Sequence, residues 1–152
     1  MGKAQKIAFI FPGQGAQYVG MGKEFFDSYS LAKETFQEAD DFLNRSLSTS
    51  ILNGPEEELT LTKNSQSGIF VVSIALLRVL QSLFPQLHST YCSGLSLGEY
   101  SALHATGALS FQETLKLVDK RGTFMNAACE ETQGTMAVIL GVEAAAVEAL
   151  VA

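Results

Sequence analysis

An α/β architecture around a parallel sheet follows from two stretches of this sequence. Lys6-Ile7-Ala8-Phe9-Ile10-Phe11 carries a continuous apolar run closed by Pro12-Gly13. Such a run reads as a strand buried on both faces, at the centre of a parallel sheet. Ser89-Thr90-Tyr91-Cys92 is a second β-prone run, leading into Gly94-Leu95-Ser96-Leu97-Gly98 and a helix-compatible segment from Glu99 to Ala105. Strand, sharp turn with a serine at its apex, and helix make up the G-x-S-x-G nucleophile elbow. The positions two before and two after the serine must be small, because strand and helix pass closely there. Backbone N–H groups at the start of the helix point at the serine and favour a developing oxyanion.

The remaining elements follow in order. Pro12-Gly13-Gln14-Gly15-Ala16-Gln17-Tyr18 is a tight loop at the C-terminal end of the first strand, the end at which open α/β sheets bind ligands. Ser30 is placed to cap a helix from Leu31 to about Leu43, with Leu31, Phe36, Ala39, Phe42 and Leu43 on its inner face. Asn53-Gly54-Pro55 reads as a turn and Glu56-Glu57-Glu58 as a solvated helix start. Asn64 or Ser65 opens a long apolar helix that runs through Phe84 and is stopped by Pro85. Ser110-Phe111-Gln112-Glu113 has capping-box spacing, which predicts a helix running past Arg121. Thr135 to Leu140 reads as a third strand, and Glu143 to Ala152 as an alanine-rich helix.

Composition narrows the classes of function. A chain of 152 residues, 47% of them apolar, has enough material for one globular core. The longest apolar stretch, Gly68 to Leu77, is broken by Ser73 and followed by Arg78, short of the ~18 residues of a membrane span. The first residues lack a signal-peptide pattern, and Cys92 and Cys129 form neither C-x-x-C nor a disulfide framework. A reduced, cytoplasmic protein is the simplest reading. A net charge of −6 argues against nucleic acid as a partner.

The chemistry centres on Ser96. Gly13-Gln14-Gly15 does not continue as a dinucleotide fingerprint, because Tyr18 stands where the third glycine belongs. If the two strands are neighbours, that loop meets the elbow. The backbone N–H groups of Gln14 and Leu97 then form a candidate oxyanion hole. A serine nucleophile also needs a base, and the chain has two histidines. His104 lies about 12 Å further along the elbow helix. His88 lies at the far end of the preceding strand, about 20 Å or more away. Neither reaches the serine, so either Ser96 is no nucleophile or its base lies outside these residues. Arg121, in Val118-Asp119-Lys120-Arg121-Gly122, is by spacing alone a solvated arginine at a helix end. The alternative is a planar fork that holds a substrate carboxylate.

Taken together, Phe11-Pro12-Gly13-Gln14-Gly15-Ala16-Gln17, Gln66, Gly94-Leu95-Ser96-Leu97-Gly98-Glu99-Tyr100-Ser101-Ala102-Leu103, Arg121-Gly122-Thr123-Phe124-Met125 and Gly134-Thr135-Met136-Ala137 fall in one order. In that order the chain resembles the N-terminal half of the malonyl-CoA:acyl carrier protein transacylases of type II fatty-acid synthesis. The resemblance implies that Ser96 takes the malonyl group as an ester. It also implies that Gln14 and Leu97 supply oxyanion N–H groups and that Arg121 pairs with the malonyl carboxylate. It implies a parallel-sheet, α/β-hydrolase-like larger subdomain over 1–128, with an inserted ferredoxin-like subdomain beginning over 129–152. Malonyl-CoA and acyl carrier protein are the implied partners, with no metal or organic cofactor, in the cytoplasm or a plastid stroma. The first strand begins so near Met1 that a free-standing enzyme is favoured over a megasynthase acyltransferase domain. In the family a histidine usually precedes the serine, where this chain has Leu95; a change of packing rather than loss of activity is expected. The family's catalytic histidine has no counterpart here, so the 152 residues alone are expected to be poor catalysts. A plain esterase, or a binding module that keeps the elbow as scaffold, are the competing readings.

Overall fold

The computed structural model describes residues 6–133 and 139–151. Two parallel strands, β1 (Ala8–Phe11) and β2 (Tyr91–Gly94), pair from Ala8 opposite Tyr91 to Phe11 opposite Gly94. Between them the chain forms α1 (Lys23–Ser28), α2 (Ser30–Leu43), α3 (Leu47–Asn53), α4 (Glu56–Thr60) and α5 (Thr62–Leu83). After β2 come α6 (Gly98–Ala105), α7 (Phe111–Thr132) and α8 (Ala144–Val151). The result is an α/β fold with a small parallel sheet and many helices.

The core is built around α5. Ile69, Phe70, Val71, Ile74, Ala75 and Val79 are buried, and so are Phe36 and Ala39 of α2 and Leu115 and Val118 of α7. Phe70 stacks on Phe111 at 5.5 Å between ring centroids. Each of the larger of these side chains contributes about 1.5–3 kcal/mol by leaving water, so α5 is held by tertiary burial more than by helix propensity. By length and hydropathy α5 passes for a membrane span, unlike the broken run read from the sequence; 56% of its most apolar window is buried inside the fold. It is the core helix.

Several expectations need correction. β1 is not buried on both faces: Phe9 and Phe11 turn inward while Ile10 is 78% exposed. Among the described residues β1 pairs only with β2, and one of its faces is left uncovered. Ser30 is the first residue of α2 and makes no side-chain cap, Tyr29 taking the N-cap position. On α2, Phe36 and Ala39 are buried and Leu31 and Leu43 pack half-buried against the core as expected, but Ala32 and Thr35 join them and Phe42 is 38% exposed. The stripe is thus rotated toward small residues that let α2 lie close on α5. α1 and α3 had no sequence expectation. Residues 135–138 of the expected third strand lie outside the described residues, and Ile139 and Leu140 are in irregular backbone. Glu56, Glu57 and Glu58 do open the short α4 on exposed positions, while its Leu59 is buried.

The capping box is present as expected. The Ser110 hydroxyl accepts from the Glu113 N–H, and the Ser110 N–H donates to the Glu113 carboxylate at 2.9 Å. Hydrogen bonds from the Ser110 side chain, and then from its backbone, hold the Glu113 carboxyl below its ordinary value. A lowered carboxyl pKa stabilises the fold above the unfolded pKa, and that contribution is lost as pH falls through the lowered value. Ser110→Ala is expected to cost about 1 kcal/mol near neutral pH. In urea unfolding followed by circular dichroism, the gap from wild type should narrow in acid.

Candidate active site

The site is assembled where β2 ends. Ser96 has φ of +53°, an uncommon conformation for a residue with a side chain, and this lifts the hydroxyl out of the turn. The two flanking glycines permit it. A Cβ on Gly94 would stand 1.9 Å from the Gly98 carbonyl carbon, and one on Gly98 would stand 2.3 Å from the Phe11 carbonyl oxygen. Strand, turn and helix therefore touch backbone to backbone, as the motif requires. Leu95 N–H donates to the Phe11 carbonyl at 3.3 Å, tying the turn to the end of β1. A Cβ on Gly13 would lie 2.6 Å from the Leu95 carbonyl oxygen, so the loop after β1 packs directly on the elbow. The sequence placed these two loops together, and they are together. Leu95 itself is 70% exposed beside the serine.

Among the described residues, no acceptor takes the backbone N–H of Gln14 or of Leu97. Leu97 is fully buried. A free N–H on a buried residue is a donor still able to take a partner, and this one sits at the N-terminus of α6, where the helix dipole favours negative charge.

Arg121 is not a solvated arginine at a helix end. It lies in the middle of α7, one residue before a close helix crossing: a Cβ on Gly122 would be 2.9 Å from the Lys63 Cα and 3.0 Å from the Thr62 carbonyl oxygen. That approach brings the guanidinium to the elbow. One Nη donates to the Ser96 Oγ at 2.7 Å and the other to the Gln66 Oε1 at 2.5 Å, with the Tyr100 ring 5.8 Å from the guanidinium carbon. Neighbouring Asp119 turns away, bound by Arg45 at 2.5 Å. Among the described residues, no carboxylate pairs with Arg121.

Gln66, in the sequence one residue of the resemblance with no role of its own, lies at the centre of the site. It is fully buried on α5, and its amide N–H groups reach the Gln14 Oε1 and the Met125 Sδ, both at 3.2 Å. Gln14 in turn donates to the Thr62 hydroxyl at 3.3 Å. Nothing local marks Gln66, since α5 opens on the polar run Thr62-Lys63-Asn64-Ser65-Gln66-Ser67.

The histidines are elsewhere, as their spacing predicted. His104 Nδ1 lies 3.0 Å from the Leu109 carbonyl, edge-on to Phe70 and Phe111. His88 lines a separate cleft with Ser89, Tyr91 and Cys92. Among the described residues, no group of three or more His, Cys, Asp or Glu side chains is arranged to hold a metal.

A serine on a strained strand-to-helix turn, at the N-terminus of a helix and facing a guanidinium with no carboxylate partner among the described residues, is an arrangement chemically suited to nucleophilic attack beside an anionic group. Comparison with known proteins places it further. Residues 8–150 match the acyl transferase domain family, and the chain belongs to it. It is 48% identical over 143 residues to the malonyl CoA-acyl carrier protein transacylase of Bacillus subtilis, covering 94% of this chain and 44% of that protein. With the transacylase of Escherichia coli K12 the identity is 41% over 142 residues, covering 93% of this chain and 46% of that one. The acyl-carrier-protein S-malonyltransferase of Bartonella henselae superposes with a TM-score of 0.82 at 38% identity, covering 96% of this chain and 47% of that one. A malonyl-transacylase solved in complex with its type II PKS acyl-carrier protein superposes with a TM-score of 0.77 at 37% identity, over 82% of this chain and 40% of that one. The chain thus spans about half the length of the curated relatives it matches.

Gly98→Ala is expected to destabilise the protein by on the order of 1–3 kcal/mol, because the added methyl must push the helix off the Phe11 carbonyl. Urea unfolding of the variant against wild type measures this.

Proposed function

We propose that the protein carrying this chain moves a malonyl group from malonyl-CoA to the phosphopantetheine thiol of acyl carrier protein, by way of an ester on Ser96, in type II fatty acid biosynthesis. The observation that carries this reading is the Arg121 guanidinium, free of any carboxylate among the described residues and 2.7 Å from the Ser96 hydroxyl. A planar, permanently charged fork beside the nucleophile suits an acyl group that ends in its own carboxylate.

In the first half-reaction the Ser96 Oγ attacks the thioester carbonyl carbon, and its proton passes through a base to the CoA sulfur as the C–S bond breaks. In the second, the carrier thiol attacks the ester, and Ser96 recovers its proton. The Gln14 and Leu97 N–H groups hold the carbonyl oxygen as it gains charge. The transfer as written uses only a nucleophile, a base and N–H donors, so the reading includes neither metal nor organic cofactor. The reaction belongs in the cytoplasm with its two partners. An α/β-hydrolase-like subdomain over 1–128 and the start of a ferredoxin-like one over 129–152 complete the reading, with α7 continuous across that join. Acyl transfer in polyketide synthesis is the second reading, favoured by the relative solved with a type II PKS carrier.

Mass spectrometry of the intact full-length gene product after brief mixing with malonyl-CoA is expected to show a malonyl-sized adduct, absent from Ser96→Ala. A folded wild type without adduct would remove the nucleophile. Arg121→Ala should lower the preference for malonyl-CoA over acetyl-CoA by about a hundred-fold or more; an unchanged preference would favour a plain esterase. The 152 residues alone should give no steady-state transfer, since neither histidine approaches Ser96.

A further inference from the structure

We infer that Gly13 is the positioning residue of the oxyanion hole. Lacking a Cβ, it lets the loop after β1 seat on Leu95, and that seat sets the distance between the Gln14 and Leu97 N–H groups. The inference rests on the reading of these two groups as the oxyanion donors. They come from separate segments, Gln14 from the loop after β1 and Leu97 from the last residue before α6. Two donors meet productively on one oxygen only if their places are held to within about 0.5 Å. Some contact between the two segments has to do this.

Leu95 is the fixed side of that contact. Its N–H donates to the Phe11 carbonyl at 3.3 Å, and its carbonyl accepts from the Gly98 N–H at 2.9 Å. It cannot retreat without opening the first turn of α6. A Cβ on Gly13 would lie 2.6 Å from that carbonyl oxygen and 3.4 Å from the Leu95 Cγ. The loop is the side that gives. Its own backbone bonds stay within it, from the Ala16 N–H to the Gly13 carbonyl at 3.4 Å and from the Gly15 N–H to the Gln17 side chain at 2.8 Å. A side chain at Gly13 would therefore lift the loop off the elbow and carry the Gln14 N–H, one residue on, with it. Room is what this glycine supplies. Gly13 does not have a positive φ, whereas Gly15 does, at +103°, with nothing within 4 Å of a Cβ placed there. Arg121 is held by Gln66 from its own place on α7, so the seat bears on the reacting carbonyl and not on the malonyl carboxylate.

The test uses the full-length protein and measures the single-turnover rate of Ser96 acylation by malonyl-CoA, together with kcat and KM. The variants are Gly13→Ala, Leu95→Ala, Gln14→Ala and Gln14→Pro, with thermal unfolding alongside. Losing one oxyanion donor lowers kcat by about a hundred- to a thousand-fold, and a donor displaced but still present should cost less. Gly13→Ala is expected to slow acylation and kcat by on the order of ten- to a hundred-fold, with KM for malonyl-CoA and the preference over acetyl-CoA kept. Leu95→Ala keeps the carbonyl and removes the side-chain part of the seat, so it should slow acylation by a few-fold. A merely structural role predicts a lowered unfolding temperature with wild-type acylation in whatever protein folds. Folded Gly13→Ala that acylates at the wild-type rate overturns the inference; if that variant does not fold, wild-type acylation in Leu95→Ala overturns it. Gln14→Pro lacks the N–H that Gln14→Ala keeps. With Gln14→Pro the slower of the two, either result sinks the role of Gly13 alone. Equal rates in the two would instead sink the reading beneath it.

Discussion

The site depends on how closely α7 lies on α5. At Gly122 the two backbones approach to a distance that no side chain permits, and the contact falls on Thr62 and Lys63, the first residues of α5. One residue before that glycine is Arg121; one turn into α5 is Gln66. A wider crossing would leave the guanidinium short of both the amide and the serine. The glycine therefore works at a distance from the chemistry, by fixing the separation of the helices that carry it. The Phe70–Phe111 stack holds the same two helices together further along, and Arg45, in the link between α2 and α3, ties Asp119 of α7 to a third part of the fold.

The elbow is a second, independent constraint. Its three elements meet through backbone atoms alone, at Gly94, Gly98 and the Phe11 carbonyl. Side chains at these points would add nothing and exclude the geometry. Ser96 then sits in a left-handed conformation because the chain on either side leaves it no other path. The Ser96 hydroxyl and the guanidinium thus reach the same place from two rigid supports, one sheet-based and one helical, with little left to loop flexibility.

What the sequence made legible was local. The elbow, the capping box and the unsuitability of both histidines rest on spacings within a dozen residues or so, where backbone geometry decides. Arg121 was different: its spacing favoured a solvated residue, because nothing in Val118 to Gly122 says that Gly122 seats α7 against α5. Gln66 carries no local signal for its role at all, since its partners lie 52 and 55 residues away. The exposed face of β1 was misread because an unbroken apolar run says that a strand can be covered, not that it is. In α2, Phe42 lost its place to Ala32 and Thr35, since helix packing rewards a close fit over the larger side chain. α1 and α3 are too short for a helical period to register.

The hydrogen bonds at the site all run one way. Arg121 donates to Gln66, Gln66 to Gln14, and Gln14 to Thr62. An amide in such a row cannot turn over by itself: reversing Gln66 would set its NH2 against the guanidinium and its oxygen against the oxygen of Gln14. The row is therefore anchored in sense by the one member with no acceptor to offer, and the orientation of the loop after β1 is dictated from α7, on the far side of α5's first turn. The arginine acts as the polarity marker for the whole pocket, present before any substrate arrives.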